Sequence, residues 1–125
     1  MVITGIEHTG IMVSDMEKSL SFYSDILGLE FIDRFDHTSV DVNLAFLGLN
    51  GKVLVELIAG YPGEVTNEGK VHHLAFSVKN IEEKFELLKE KGVKLKDHEI
   101  TELPNGKYFF FYGPDEESLE FFEAK

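Results

Sequence analysis

Two histidines and two glutamates recur at nearly the same spacing in the two halves of the chain. Glu56 follows His8 after 48 residues, and Glu120 follows His73 after 47 residues. Imidazole nitrogens and carboxylate oxygens are common ligands of divalent ions such as Zn²⁺ and Ni²⁺. A unit that is used twice, and that keeps such a residue at each end, suggests one metal site built from two halves.

The residues around the histidines repeat as well. Segment 8–17 aligns with segment 73–82, and a gap of one residue then brings the two glutamates into register. Self-similarity at a fixed period is the signature of a repeated structural unit. The sequence therefore predicts a single domain, 1–125, made of repeat halves at about 3–60 and 70–125.

Composition excludes several classes of function. The 125 residues carry 12 basic and 23 acidic side chains, a net charge of −11 without a basic stripe, which argues against a nucleic-acid partner. Cysteine is absent, the N-terminal residues lack a signal-peptide pattern, and no apolar stretch approaches the roughly 20 residues of a membrane span. We expect a cytoplasmic protein that does not contact membranes.

Local patterns predict the order β-α-β-β-β in the first half. Asp15 is positioned to cap a helix whose apolar residues recur at helical spacing until Gly28 ends it. Asn50-Gly51 is typical of a two-residue hairpin turn. The predicted strands are 5–13, 29–35, 40–48 and 53–58, and a linker is expected between Gly60 and Gly69.

The second half repeats this order. Asn80 is expected to cap a helix that ends near Gly92. The predicted strands are 72–78, 93–100, 106–112 and 118–123.

In each half of the chain, strand alternation places the histidine on a face of small residues. His8 shares its face with Gly10 and Met12, and His73 shares its face with Ala75 and Ser77, whereas the opposite faces are bulky and apolar. A glutamate within an apolar strand is costly unless it is paired or coordinates a metal. Small residues beside each histidine leave space, which predicts a cavity.

Seven segments of the chain match a known family pattern: His8–Val13, Phe22–Tyr23, Leu27–Leu29, Leu54–Leu57, His73–Val78, Gly113–Asp115 and Leu119–Phe121. With them the chain resembles the glyoxalase I branch of the vicinal oxygen chelate superfamily over essentially its whole length. The resemblance implies an α+β glyoxalase fold in which two tandem βαβββ units form a curved eight-stranded mixed sheet, and it implies a homodimer.

The family's metal ligands correspond to His8, Glu56, His73 and Glu120. The resemblance implies one divalent ion, Ni²⁺, Zn²⁺ or Co²⁺ first and Mn²⁺ or Fe²⁺ next, in a lyase or isomerase acting on a small α-oxo thiol adduct. Such an ion stabilises the enediolate formed when a carbon acid loses its proton. The resemblance assigns the catalytic base to Glu120, with Glu56 as its pseudo-symmetric partner.

Two positions depart from the family pattern. Met12 stands where enzymes that use glutathione usually carry Arg, and Ala59-Gly60 replaces an amide-bearing residue. Together with the acidic net charge, these departures favour a small-molecule substrate that is less anionic than a glutathione adduct. The sequence identifies neither substrate nor metal, and it leaves open whether the halves combine within one chain or across a swapped dimer.

Three alternative functions stay open. They are an epimerase of an acyl thioester, a small-molecule-binding protein that tolerates metal, and a ring-cleaving dioxygenase. The full ligand set counts against simple binding, and the fourth carboxylate, Glu56, favours proton transfer over oxygen activation.

Other notable residues have structural interpretations. His37, His72 and His98 are expected to be structural, and alternation directs His72 away from His73. The aromatic run 108–112 is expected to be sheet core, with one alternating face lining the cavity.

Overall fold

The computed structural model describes residues 5–38, 41–61, 69 and 71–125. The chain divides into two compact units, Met1–Val65 and Thr66–Lys125. Most of the predicted linker, residues 62–68, lies outside the described residues.

The first unit has the predicted β-α-β-β-β order. Its helix α1, Met16–Leu20, continues as a π-helical segment, Ser21–Ile26, and Asp15 Oδ1 accepts a hydrogen bond from Lys18 N at 3.1 Å. The strands are β1 (Thr9–Val13), β2 (Glu30–Asp36), β3 (Asn43–Leu49) and β4 (Lys52–Ala59). They form a mixed sheet in the order β1-β4-β3-β2, with β1 parallel to β4.

The second unit repeats the topology. Its helix α2 is Ile81–Glu90, and its strands are β5 (Leu74–Ser77), β6 (Thr101–Leu103), β7 (Gly106–Tyr112) and β8 (Ser118–Ala124). The sheet has the order β5-β8-β7-β6, with β5 parallel to β8. The predicted βαβββ repeat is confirmed. Its eight strands form two mixed sheets of four, one in each unit, in place of a single hydrogen-bonded sheet among the described strands.

The predicted strand at 93–100 is wrong. Only Leu95 in this segment forms a β-bridge, to Phe111, and the regular strand of this part of the chain, β6, begins at Thr101. Asp97 Oδ2 accepts a hydrogen bond from Phe110 N at 2.8 Å. A side chain therefore takes the place of a backbone acceptor beside β7, and the regular ladder stops there.

Each sheet packs its bulky face under its own helix. In the first unit Tyr23, Leu47 and Leu57 are fully buried. In the second unit the rings of Phe85 and Phe109 meet edge to face with centroids 5.0 Å apart. These contacts place the core on the faces opposite the two histidines, as strand alternation predicts.

No helix in the described part of the chain is long and apolar enough to cross a membrane.

Helix α2 is capped by a residue distant in sequence. Asn80 is the predicted cap position, but its backbone is left-handed (φ 57°) and its side chain makes no capping hydrogen bond. Glu123 of β8 instead accepts hydrogen bonds from Asn80 N at 3.0 Å and Ile81 N at 3.1 Å. A carboxylate here satisfies free amide groups and interacts favourably with the helix dipole.

Replacing Glu123 with Ala should destabilise the second unit. The change leaves two helix amides without their acceptor, so we expect a loss of about 1–2 kcal/mol in the free energy of unfolding. Urea denaturation followed by circular dichroism measures it. The exposed Glu99→Ala variant is the charge-matched control, and equal losses in both variants would contradict the capping role.

Candidate metal centre

The first His–Glu pair is set by the parallel register of β1 and β4. Gly10 lies opposite Glu56, so His8, two residues earlier, projects from the same face. His8 Nε2 lies 3.6 Å from Glu56 Oε1, and the two side chains are 38% and 19% exposed. His8 itself precedes the first residue of β1, because the ladder with β4 begins at Thr9.

The second pair repeats this arrangement in the other unit. Ala75 of β5 lies opposite Glu120 of β8, and His73 directly precedes β5. His73 Nε2 lies 3.2 Å from Glu120 Oε1, with side-chain exposures of 35% and 12%. Equivalent registers therefore produce equivalent His–Glu pairs.

The spacing within each pair fits two ligands of one ion. Ligand atoms about 2.1 Å from a metal, at octahedral or tetrahedral angles, lie about 3.0–3.4 Å apart. The His73–Glu120 distance of 3.2 Å falls within that range, and the His8–Glu56 distance of 3.6 Å lies just above it. Each pair can supply one imidazole nitrogen and one carboxylate oxygen to a divalent ion.

Gly10 keeps space beside the first pair. A Cβ atom at this position would lie 3.6 Å from Glu56 Oε1 and 3.3 Å from Ile58 Cδ1. A longer side chain here would crowd Ile58 and the Glu56 carboxylate. Glycine avoids this crowding beside the first His–Glu pair.

The structure brings the four predicted ligands together as pairs, His8 with Glu56 and His73 with Glu120. Among the described residues, no three His, Asp or Glu side chains gather at metal-binding spacing. A centre made of all four side chains stays a prediction.

Each histidine also has a neighbour at its other ring nitrogen. His8 Nδ1 lies 2.6 Å from Glu7 Oε1, and His73 Nδ1 lies 3.0 Å from His72 Nδ1. The expectation that His72 points away from His73 is wrong. Strand alternation does not govern this pair, because both residues precede the first residue of β5.

Two phenylalanines accompany the glutamates, and sequence reasoning missed their specific positions. Phe46 lies opposite Glu56 on β3, and Phe110 lies opposite Glu120 on β7. The Phe110 ring also meets the His73 ring edge to face, with centroids 4.9 Å apart. The offset that relates Glu56 to Glu120 also relates Phe46 to Phe110, and this signal could have identified both rings.

The aromatic run divides between the two faces of β7. Phe109 and Phe111 are fully buried, whereas Phe110 is half-buried beside His73. The first unit has a comparable aromatic surface, since Phe35 stacks on Phe46 with centroids 5.2 Å apart. An apolar wall therefore stands beside each His–Glu pair, on the face that alternation predicts for the cavity.

A surface cavity of about 300 Å³ in the second unit is lined mostly by charged side chains, among them Glu82 and Lys107. Lys107 Nζ donates to Glu82 Oε2 at 3.0 Å, which lowers the pKa of Glu82 and raises the pKa of Lys107. Glu123, also in its lining, caps α2. These groups are engaged in structural contacts, so the His–Glu pairs are the better candidates for chemistry.

Comparisons with known proteins agree with the fold. The uncharacterised protein YwbC of Bacillus subtilis is 45% identical over 121 residues, covering 94% of this chain and 96% of its own. A probable lactoylglutathione lyase of Synechocystis is 33% identical over 92 residues, 70% of each chain. The crystal structure of a glyoxalase family protein from Enterococcus faecalis matches with a TM-score of 0.80 at 25% identity, covering 98% of this chain and all of its own.

The sequence model of the Glyoxalase/Bleomycin resistance protein/Dioxygenase superfamily matches residues 5–121. With the repeated βαβββ topology, this match shows that the chain belongs to that superfamily.

Proposed function

We propose that this protein is a divalent-metal-dependent lyase or isomerase of the glyoxalase I type. It acts by enediolate proton transfer on a small α-oxo thiol adduct. The observation that carries the proposal is the repeated His–Glu pair, which has the same register and nearly the same spacing in both units. The likeness to a probable lactoylglutathione lyase supports this choice among the chemistries of the superfamily.

In this proposal one ion is held by both pairs, within one chain or between two copies in a homodimer. His8, Glu56, His73 and Glu120 supply two nitrogens and two oxygens, which suit Ni²⁺, Zn²⁺ or Co²⁺ and also admit Mn²⁺ or Fe²⁺. When bound, the ion polarises the substrate's oxygen atoms and stabilises the negative charge of the enediolate.

Glu120 is the proposed base. Its carboxylate accepts the proton from the carbon that bears the hydroxyl and sulfur of the hemithioacetal, which forms the enediolate. That proton then returns to the neighbouring carbon, and the hydroxyl proton moves from the first oxygen to the second. The product is the 2-hydroxy thioester, an isomer of the substrate, so atoms and charge balance. The Glu120 side chain is 12% exposed, less than that of Glu56 at 19%, and Phe110 lies opposite it. Such shielding from water favours controlled proton transfer.

The first unit offers its substrate an apolar surface. Met12 lies opposite Ile58, and Phe46 stacks on Phe35. None of these four side chains carries a positive charge that could pair with the carboxylates of an anionic thiol. The net charge of −11 also opposes the approach of such a thiol. The proposed substrate is therefore a less anionic adduct than that of glutathione.

Metal content and a substrate panel test the proposal. Protein purified without chelator should contain a stoichiometric divalent ion. It should convert the hemithioacetal of at least one small thiol with methylglyoxal to the thioester. Protein without metal would contradict the centre. Metal-loaded protein that epimerises an acyl thioester, and does not act on any hemithioacetal, would contradict the proposed reaction.

Replacing Met12 with Arg should improve the use of glutathione. A guanidinium group at this position offers charged hydrogen bonds to carboxylates, worth roughly tenfold in kcat/KM for the glutathione hemithioacetal. Met12→Leu, which keeps an apolar side chain of similar size, should leave kcat/KM unchanged. Wild-type protein that already prefers glutathione over other thiols would contradict the argument from Met12.

A further inference from the structure

The residue directly before each candidate ligand histidine contacts that histidine's Nδ1 atom. Glu7 Oε1 lies 2.6 Å from His8 Nδ1, and His72 Nδ1 lies 3.0 Å from His73 Nδ1. Glu7 and His72 occupy equivalent positions in the repeat, although their side chains differ. The contact at Nδ1 therefore recurs in both halves, with a carboxylate as the partner of His8 and an imidazole as the partner of His73.

These contacts determine which nitrogen of each ring can bind a metal. A neutral imidazole carries one hydrogen, and the nitrogen without it is the one that can donate a lone pair to an ion. A hydrogen on Nδ1 of His8 donates to the Glu7 carboxylate and leaves Nε2, the atom that faces Glu56, free to coordinate. For His73 the same arrangement requires that His72 Nδ1 accept and that His72 carry its own hydrogen on Nε2.

We propose that Glu7 and His72 are positioning residues that hold His8 and His73 in the orientation and tautomer that coordinate through Nε2. This inference rests on the metal site of the proposed function. Partners of this kind fix the ring of a metal-bound histidine and increase its basicity, and their loss typically weakens metal binding about 10–100-fold.

The two positions should differ in strength. The Glu7 carboxylate carries a full negative charge, which strengthens its hydrogen bond to the ring, whereas the partner of His73 is an imidazole. Because the Glu7 side chain is 83% exposed, water weakens its effect. We therefore expect Glu7 to contribute near the lower limit of that range, and His72 to contribute less.

Titration of the metal-free full chain with Co²⁺ tests the inference. Glu7→Ala should raise the Kd for Co²⁺ about tenfold, and Glu7→Gln, which keeps an acceptor oxygen, should recover part of that loss. His72→Ala should raise the Kd by a smaller factor. The melting temperature of each metal-free variant should equal that of the wild type, which separates positioning from folding.

Asp41→Asn is the matched control, since it removes one negative charge from an exposed residue of the same unit. Its Kd for Co²⁺ should equal that of the wild type. If Asp41→Asn and Glu7→Ala lost the same affinity for Co²⁺, the loss would be explained by the change in net charge, and the positioning role would be overturned. A Glu7→Gln variant no better than Glu7→Ala would also overturn it.

The outcomes separate this inference from the proposed function. If wild-type protein binds Co²⁺ and Glu7→Ala binds it equally well, the positioning role fails and the metal site stands. If wild-type protein does not bind Co²⁺, the metal site itself fails, and the positioning role with it.

Discussion

Replacing Glu120 with Gln should lower the turnover of the active hemithioacetal by about 10²–10⁴-fold. Gln keeps the shape of the side chain, and its amide oxygen can still approach His73 Nε2, but it does not accept the substrate's proton. Steady-state kinetics at saturating substrate measures the loss in kcat, and circular dichroism checks that β8 and its sheet are retained. Full activity in this variant would exclude Glu120 as the base.

Glu56→Gln is the matched control, because Glu56 occupies the equivalent register position in the first unit. It should cost less activity than Glu120→Gln if Glu120 accepts the proton. A larger loss in Glu56→Gln would show that the substrate binds in the opposite pseudo-symmetric orientation. Full activity in both variants would contradict the enediolate mechanism.

Replacing His73 with Ala should weaken binding of the divalent ion more than 100-fold, because it removes a proposed ligand. Loss of a residue that only hydrogen-bonds to a ligand already weakens metal binding by up to about 100-fold. At a metal concentration 100 times the wild-type Kd, bound metal contributes about 2.7 kcal/mol to stability. Under the same conditions, bound metal contributes less than about 0.4 kcal/mol to the variant, because its Kd is raised more than 100-fold. Chelator should therefore lower the melting temperature of the variant far less than that of the wild type. Differential scanning fluorimetry and metal analysis measure both effects.

His98→Ala is the control for this experiment, since His98 is an exposed histidine of the same unit. It should bind metal as the wild type does. A His73→Ala variant that keeps the wild-type metal stoichiometry and affinity would contradict the assignment of His73 as a ligand.

Mixing His8→Ala with His73→Ala by joint refolding shows how the halves combine. If one site uses the first half of one chain and the second half of another, a mixed dimer contains one site with both histidines intact, and metal binding returns. If each site is built within one chain, mixing restores nothing.

The sequence by itself determined the repeat and the faces of its strands. Alternation predicted that Gly10 shares a face with Glu56 and Ala75 with Glu120, and the strand registers confirm these faces. His8 and His73 lie just before the strands, and their distances of 3.6 Å and 3.2 Å to the glutamates agree with the predicted grouping. The turn at Asn50-Gly51 and the end of the first helix at Gly28 were also predictable, because they depend on local backbone conformations with positive φ.

Contacts between residues distant in sequence were decided only by the tertiary structure. Glu123 caps α2 from strand β8, and Asp97 supplies a side-chain acceptor to Phe110 N in β7, within the segment that was predicted to be a regular strand. No local propensity encodes either contact, since each depends on which strands become neighbours and in which register.

The candidate site shows the same division. Residue type and period identified the four ligand candidates, because the chemistry of a metal ligand belongs to the side chain itself. The register of β3 and β7 placed Phe46 and Phe110 opposite the glutamates, and chain geometry just before β1 and β5 brought Glu7 and His72 to the Nδ1 atoms. Sequence specifies which groups can react, whereas their distances and partners depend on pairing between segments far apart in the chain.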